Sequence, residues 1–171
     1  MIHLTPADYS RQPWKNGKGL TTELWRLERD GQLLVRLSRA SVVEDGPFSL
    51  FPGIERNLTV LTGPGFRLTG TGLNLRCDPL VPVAFPGDVE VMASETGGRQ
   101  SDDFNVMTAR GLPKPQVEVI TTPADLSAGG TLAIFALAEA TAGGLALGRY
   151  DLVLTDAAIT VSGPVIAVRF A

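Results

Sequence analysis

Cysteine and histidine are almost missing from this 171-residue chain: Cys77 and His3 are the only ones of their kind. One cysteine forms no internal disulfide, and one of each cannot assemble the several ligands of a zinc or iron centre. The same scarcity argues against a Ser-His-Asp triad and leaves Cys77 without a histidine partner for thiol catalysis. Lysine is rare too: Lys15, Lys18 and Lys114 stand against twelve arginines scattered without a basic run, and the net charge is −3. A chain of that balance does not draw in nucleic acid or an acidic membrane surface. No apolar run approaches the roughly 20 residues of a membrane helix. The opening Met1-Ile2-His3-Leu4-Thr5 has no apolar stretch of signal-peptide type. The expectation from these absences is a cytoplasmic protein with no metal or other cofactor.

Glycine and proline, in contrast, are plentiful at 19 and 12 residues, alongside 44% hydrophobic and 19% charged residues. That composition describes a globular chain cut into short strands by many turns. Residues 21–27 alternate, which predicts Glu23, Trp25 and Leu27 on one side and Thr22, Leu24 and Arg26 on the other. Past Asp30-Gly31 the period continues over residues 33–43, with Leu33, Val35 and Leu37 on one face and Arg36, Ser38 and Ala40 on the other. Together the two runs predict a hairpin. Further apolar runs lie at 58–61, 66–68, 81–85, 89–92, 104–107, 117–120, 132–137, 152–154 and 165–170. Many short strands at this spacing predict an all-β sandwich or barrel. Residues 135–141 are the best helix candidate, but the apolar run that opens them is read as a buried strand. A faint repeat relates Leu58-Thr59-Val60-Leu61 to Leu132-Ala133-Ile134-Phe135 and predicts two lobes. Residues 111–171 carry only three basic and five acidic side chains, so polar chemistry is expected before residue 111.

Three segments carry candidate chemistry. Pro13-Trp14-Lys15-Asn16-Gly17-Lys18-Gly19 sets an aromatic, cations and an amide beside glycines. It is either a loop whose exposed N–H groups suit an anion or carbonyl, or a surface turn with Trp14 plugging a barrel end. The stretch 45–56 places Phe48 and Phe51 among turn formers and ends on Arg56 at a strand start. Arg56 is suited to a bidentate contact with a carboxylate, or to pinning the loop through Glu55 or Asp45. In residues 102–110, alternation puts Asp103, Asn105 and Met107 on one face and Phe104 and Val106 on the other. Two buried polar groups on one face need partners, either a ligand or the Lys15-Asn16 loop. Arg36 and Ser38 pose the same question, with a solvated outer face as the alternative for Arg36. No carboxylate pair shows an acid/base spacing.

In their order, these segments resemble the HutD/Ves family, a bicupin family. The matching residues are Pro13-Trp14-Lys15-Asn16-Gly17 with Gly19 and Thr21; Arg36, Ser38 and Ala40; Asp45-Gly46, Phe48-Ser49 and Phe51-Pro52-Gly53; Arg56; Phe85 with Gly87-Asp88; and Asp103-Phe104-Asn105-Val106-Met107 with Arg110. They cover about residues 1–120; Lys18 departs from the family's glycine. The resemblance implies two fused cupin barrels, each a double-stranded β-helix or jelly roll. The first would span 1–110 and carry a ligand site, and the second, over 111–171, would be mainly scaffold. It also implies a role in histidine utilisation, with urocanate or a formyl or formimino derivative of glutamate as the small anionic metabolite bound. Cupin metals need His and Glu on inner strands, and with the histidines missing the expectation is metal-independent binding. Lys15, Asn16, Arg36, Ser38, Arg56 and Asn105 are the expected ligand-binding residues, with Trp14, Phe51 and Phe104 as pocket walls. Two alternatives stand beside this reading. One is a metal-free hydrolase or isomerase acting on the same ligand class with Asp103 as its base, and the other is a stress-related interaction protein. An open sheet edge would serve a homodimer.

Overall fold

The computed structural model describes residues 1–14 and 19–170. Among them the chain forms nineteen strands and no helix. They are β1 (Ile2–Leu4), β2 (Ser10–Pro13), β3 (Leu20–Arg29), β4 (Gln32–Val42), β5 (Gly46–Pro47), β6 (Ile54–Thr62), β7 (Phe66–Gly70), β8 (Leu73–Cys77), β9 (Val83–Pro86), β10 (Val91–Ser94) and β11 (Ser101–Ala109). There follow β12 (Gln116–Ile120), β13 (Ala124–Leu126), β14 (Thr131–Ala136), β15 (Ala140–Ala142), β16 (Leu145–Leu147), β17 (Leu152–Thr155), β18 (Ile159–Ser162) and β19 (Val165–Phe170). Residues 135–141 form no helix but divide between β14, a bend and β15.

The chain divides into two compact units, one of Ser10–Leu112 and one of Met1–Tyr9 with Pro113–Ala171. The first contains a six-stranded sheet ordered β2-β3-β4-β11-β6-β9 and a four-stranded sheet ordered β5-β10-β7-β8. The second contains β1-β17-β14-β19-β12 and β13-β18-β15-β16. Neighbouring strands within these sheets run antiparallel. One strand order is used twice. Adding eight to each label turns β4-β11-β6-β9 into β12-β19-β14-β17, and β5-β10-β7-β8 into β13-β18-β15-β16. The likeness between residues 58–61 and 132–135 falls on β6 and β14, which are equivalent strands in this scheme.

Each unit has its own core between its two sheets. In the first, Val42, Leu58, Val60 and Phe85 meet Phe66, Leu68, Cys77, Val91 and Ala93. In the second, Leu132, Ile134, Val153, Val165 and Ala167 meet Ala140, Ala142, Leu147, Ile159 and Val161.

Two local features differ from the sequence expectation. Residues 1–9 belong with the C-terminal strands, because Ile2 pairs with Leu154 and Leu4 with Leu152 on the free edge of β17. Two side-chain bonds hold them there: His3 Nε2 lies 2.9 Å from Asp151 Oδ2, and the Tyr9 hydroxyl donates to the Tyr150 carbonyl at 2.6 Å. The second feature is in β3. Alternation predicts Glu23 and Trp25 on one side, but a bulge between them makes Glu23 partner Ser38 while Trp25 partners Leu37. The extra residue, Leu24, reverses the faces beyond it, so Thr21, Glu23 and Arg26 share the side of Ala40, Ser38 and Arg36. The β3–β4 turn follows the sequence: Asp30 and Gly31 both have positive φ, 52° and 74°, as a two-residue type I′ hairpin requires.

Candidate functional site

The inner face of the six-stranded sheet changes character along its strands. Cross-strand register sets Arg36, Met107, Arg56 and Phe85 in one row, Ser38, Asn105 and Leu58 in the next, and Ala40, Asp103 and Val60 in a third. Leu58, Val60 and Phe85 join the apolar core. The polar members instead line a cavity of about 850 Å³, together with Trp14, Phe48, Ser49 and Phe51.

Arg56 is the centre of this arrangement. Only 6% of the residue is exposed. Its guanidinium carbon sits 5.3 Å from the Phe48 ring centroid, 5.3 Å from Phe51 and 5.0 Å from Phe85. Desolvated cation–π contacts contribute up to about 2 kcal/mol each, which offsets part of the several kcal/mol that burying the cation costs. Nη2 donates to Asn105 Oδ1 at 3.1 Å and Nη1 to the Ser49 carbonyl at 3.4 Å, while buried Nε has no partner among the described residues. Burial pushes the guanidinium down to about 10, with the Asp103 charge opposing and Arg36 assisting, so Arg56 stays cationic at neutral pH. Neither loop-pinning partner holds it. Glu55 accepts from Arg110 at 2.8 Å, and Asp45 accepts from the Thr96 hydroxyl at 2.7 Å.

Asp103 lies two residues from Asn105 on the same face and is 1% exposed. Asn105 Nδ2 donates to Asp103 Oδ1, so the amide bridges the carboxyl to the guanidinium. Asp103 Oδ2 is buried and has no partner among the described residues. Burial pushes this carboxyl up to about 7, against the opposing pull of Arg56 and of the Asn105 bond. A buried polar atom without a partner costs about 1–3 kcal/mol. Here one sits on the cation and another on the carboxyl, both from residues that line one cavity.

The surrounding elements hold this centre in place. Arg36 donates through Nε to Glu23 Oε2 at 2.7 Å, a pairing the β3 bulge makes available by keeping Glu23 on the inner face. Trp14 Nε1 donates to Thr21 Oγ1 at 2.8 Å, and its ring lies over Gly19, where a Cβ would come within 2.6 Å. The loop bearing Phe51 is clasped by Gly87, whose N–H donates to the Ile54 carbonyl at 2.7 Å and where a Cβ would meet the Phe51 carbonyl at 2.7 Å. Arg110 adds a bidentate grip on Asp88, at 2.6 and 2.9 Å. That grip is the main reason the Asp88 carboxyl falls to about 2.

Arg36, Ser38, Arg56 and Asn105 therefore converge on one cavity, with Trp14 and Phe51 in its wall. Phe104 does not join them: it alternates away from Asp103 and Asn105, pairs across the sheet with Arg39 and Thr59, and is buried on the opposite face. Lys15 and Asn16 lie outside the described residues. Phe48, Phe85 and Glu23 complete the surroundings of the two arginines and were not singled out from sequence, although Phe48 and Phe85 fall within the segments quoted above. Cys77 is buried, which pushes its thiol up to about 12 and removes it as a nucleophile at neutral pH.

A HutD family profile matches residues 6–167. The chain belongs to the HutD family. A protein of Pseudomonas putida described as an uncharacterized 21.2 kDa protein in the hutC 3' region is 42% identical over 111 residues, covering 62% of this chain and 57% of that protein. The match thus spans a little over half the length of that relative. HutD from Pseudomonas fluorescens SBW25 superposes with a TM-score of 0.91 at 30% identity, covering 99% of this chain and 97% of that one. A cupin 2 conserved barrel domain protein from Leptotrichia buccalis has a TM-score of 0.57 at 7% identity, over 90% of this chain and 89% of that one, a likeness of fold alone. The chain is thus an all-β, cupin-like member of the HutD family, which is associated with the histidine-utilisation locus. The residues do not fit a cupin metal. Among those described, no cluster of three or more His, Cys, Asp or Glu could hold an ion, and the Arg56 cation already faces the buried Asp103 carboxyl. No helix among them is long and apolar enough to cross a membrane.

Proposed function

We infer that this HutD-family chain is a cytoplasmic, metal-independent bicupin that binds a small anionic metabolite of histidine catabolism and so senses or sequesters it. The repeated eight-strand order supports two fused cupin barrels. The observation that carries the ligand reading is Arg56: a buried guanidinium walled by three phenyl rings on a cavity of about 850 Å³, with an N–H still unpartnered. A ligand carboxylate satisfies such a group with charge-assisted hydrogen bonds, each contributing about 1.5–3 kcal/mol. Asn105 and Ser38 offer a donor and acceptors to a formyl, imino or imidazole group at the ligand's other end. Two or three such bonds, less the cost of association, correspond to dissociation constants of about a micromolar to a millimolar, a range suited to following a metabolite pool.

Urocanate and N-formyl-L-glutamate are the probes of choice. Calorimetry and thermal shift should register binding of at least one of them to the wild type and none to Arg56→Ala. Equal shifts in both proteins remove Arg56 from the site. One observation favours a second reading, an enzyme: Asp103, buried with a free oxygen and a carboxyl near 7, has the properties of a general base. Turnover of either probe that disappears in Asp103→Asn would establish it.

A further inference from the structure

The geometry points to proton-coupled binding: a carboxylate that docks on Arg56 is taken up together with one proton, which Asp103 holds on Oδ2. This rests on the anion-site reading above and adds the linkage. Arg36, the other cation among the described residues that line the cavity, is neutralised by Glu23 at 2.7 Å. Arg56 and Asp103, joined through Asn105, are balanced before a ligand arrives. A second carboxylate sets two negative charges against one guanidinium in a buried site, where like charges a few ångströms apart do not both persist.

The proton has a defined place to go. Asp103 Oδ1 already accepts from Asn105, whereas Oδ2 is buried and unpartnered on a residue that lines the cavity. Solvent supplies one proton, the carboxylate becomes a carboxylic acid, and the new O–H donates to the ligand oxygen in place of repelling it.

The other charged groups around Asp103 do not remove the conflict. Asp102 on its own strand is engaged by Ser41 and Gln100. On β4, Arg39 pairs across the sheet with Phe104 and so lies on the other face. Cys77 on β8 is a buried thiol, and Glu44 and Asp45 are exposed at the cavity rim.

The test is titration calorimetry on the whole chain with N-formyl-L-glutamate and with acetate, whose charges are constant between about pH 6 and about pH 8.5. Coupling predicts affinity falling about tenfold per pH unit above neutrality. It also predicts uptake of about one proton per ligand at pH 8, read as a heat that changes with the ionisation enthalpy of the buffer. Asp103→Asn, which carries the neutral shape permanently, should bind at pH 8.5 more tightly than the wild type and with no pH slope. A flat wild-type profile with buffer-independent heat overturns the coupling and leaves the carboxylate site standing. Absence of binding by both probes at every pH overturns the site and the coupling with it. The buffer comparison needs only wild-type protein, so it decides the matter even where Asp103→Asn fails to fold.

Discussion

The two units share a strand order and differ in what equivalent strands turn inward. In the C-terminal unit, β14 and β19 present Leu132, Ile134, Ala136, Val165 and Ala167 to an apolar core. In the other unit, the equivalent β6 and β11 present Arg56, Asp103 and Asn105 beside Leu58 and Val60. The backbone ladder is indifferent to this choice, because strand hydrogen bonds do not involve side chains. The energies are not indifferent. Apolar burial stabilises by about 25 cal/mol per Å², whereas a buried charge costs several kcal/mol that its neighbours only partly return. A polar inner face is therefore a cost accepted in one copy of the frame and avoided in the other.

That contrast breaks most sharply at Arg56. Arg56→Ala should abolish probe binding, a loss of at least about a hundredfold if two charge-assisted bonds disappear, as calorimetry would show. Asp103 gives the next largest effect, in stability. Its carboxyl is raised from about 3.9 in the unfolded chain to about 7 in the folded one, so the folded state keeps a proton that the unfolded state releases. Stability accordingly falls as pH rises between about 4 and about 7 and levels off above. Denaturant titrations of Asp103→Asn should lack that slope, with the difference between the two proteins growing by up to about 4 kcal/mol across the window. Ile134→Ala, on the apolar side of the comparison, should cost about 3 kcal/mol in denaturant and leave the dissociation constant for N-formyl-L-glutamate unchanged. The smallest effect belongs to His3→Ala, which removes one part-buried hydrogen bond and should cost about 1 kcal/mol.

Much of this was legible in residue order. Period-two alternation places Asp103 with Asn105, and Arg36 with Ser38, and the structure puts all four on one cavity. The apolar runs fall on strands, and Asp30-Gly31 turns where its chemistry requires. Three things were not legible. The bulge at Leu24 has no sequence mark, yet it moves Trp25 to the opposite face from Glu23 and leaves Glu23 free to meet Arg36. The aromatic box around Arg56 draws Phe48 and Phe51 from one loop and Phe85 from β9, a convergence made by tertiary packing and not by spacing. Short polar strands such as β2, with Ser10 to Pro13 exposed throughout, lack the apolar signal by which strands are recognised.

The pairing of Ile2 with Leu154 has a consequence for biosynthesis. Strand β1 is synthesised about 150 residues before its partner edge, so at about 5–20 residues per second it waits roughly 8 to 30 seconds for a hydrogen-bonding neighbour. The C-terminal sheet cannot close on this edge until β17 has been made, and a slow codon stretch near residue 113 would lengthen the interval in which the nascent chain carries an unsatisfied strand.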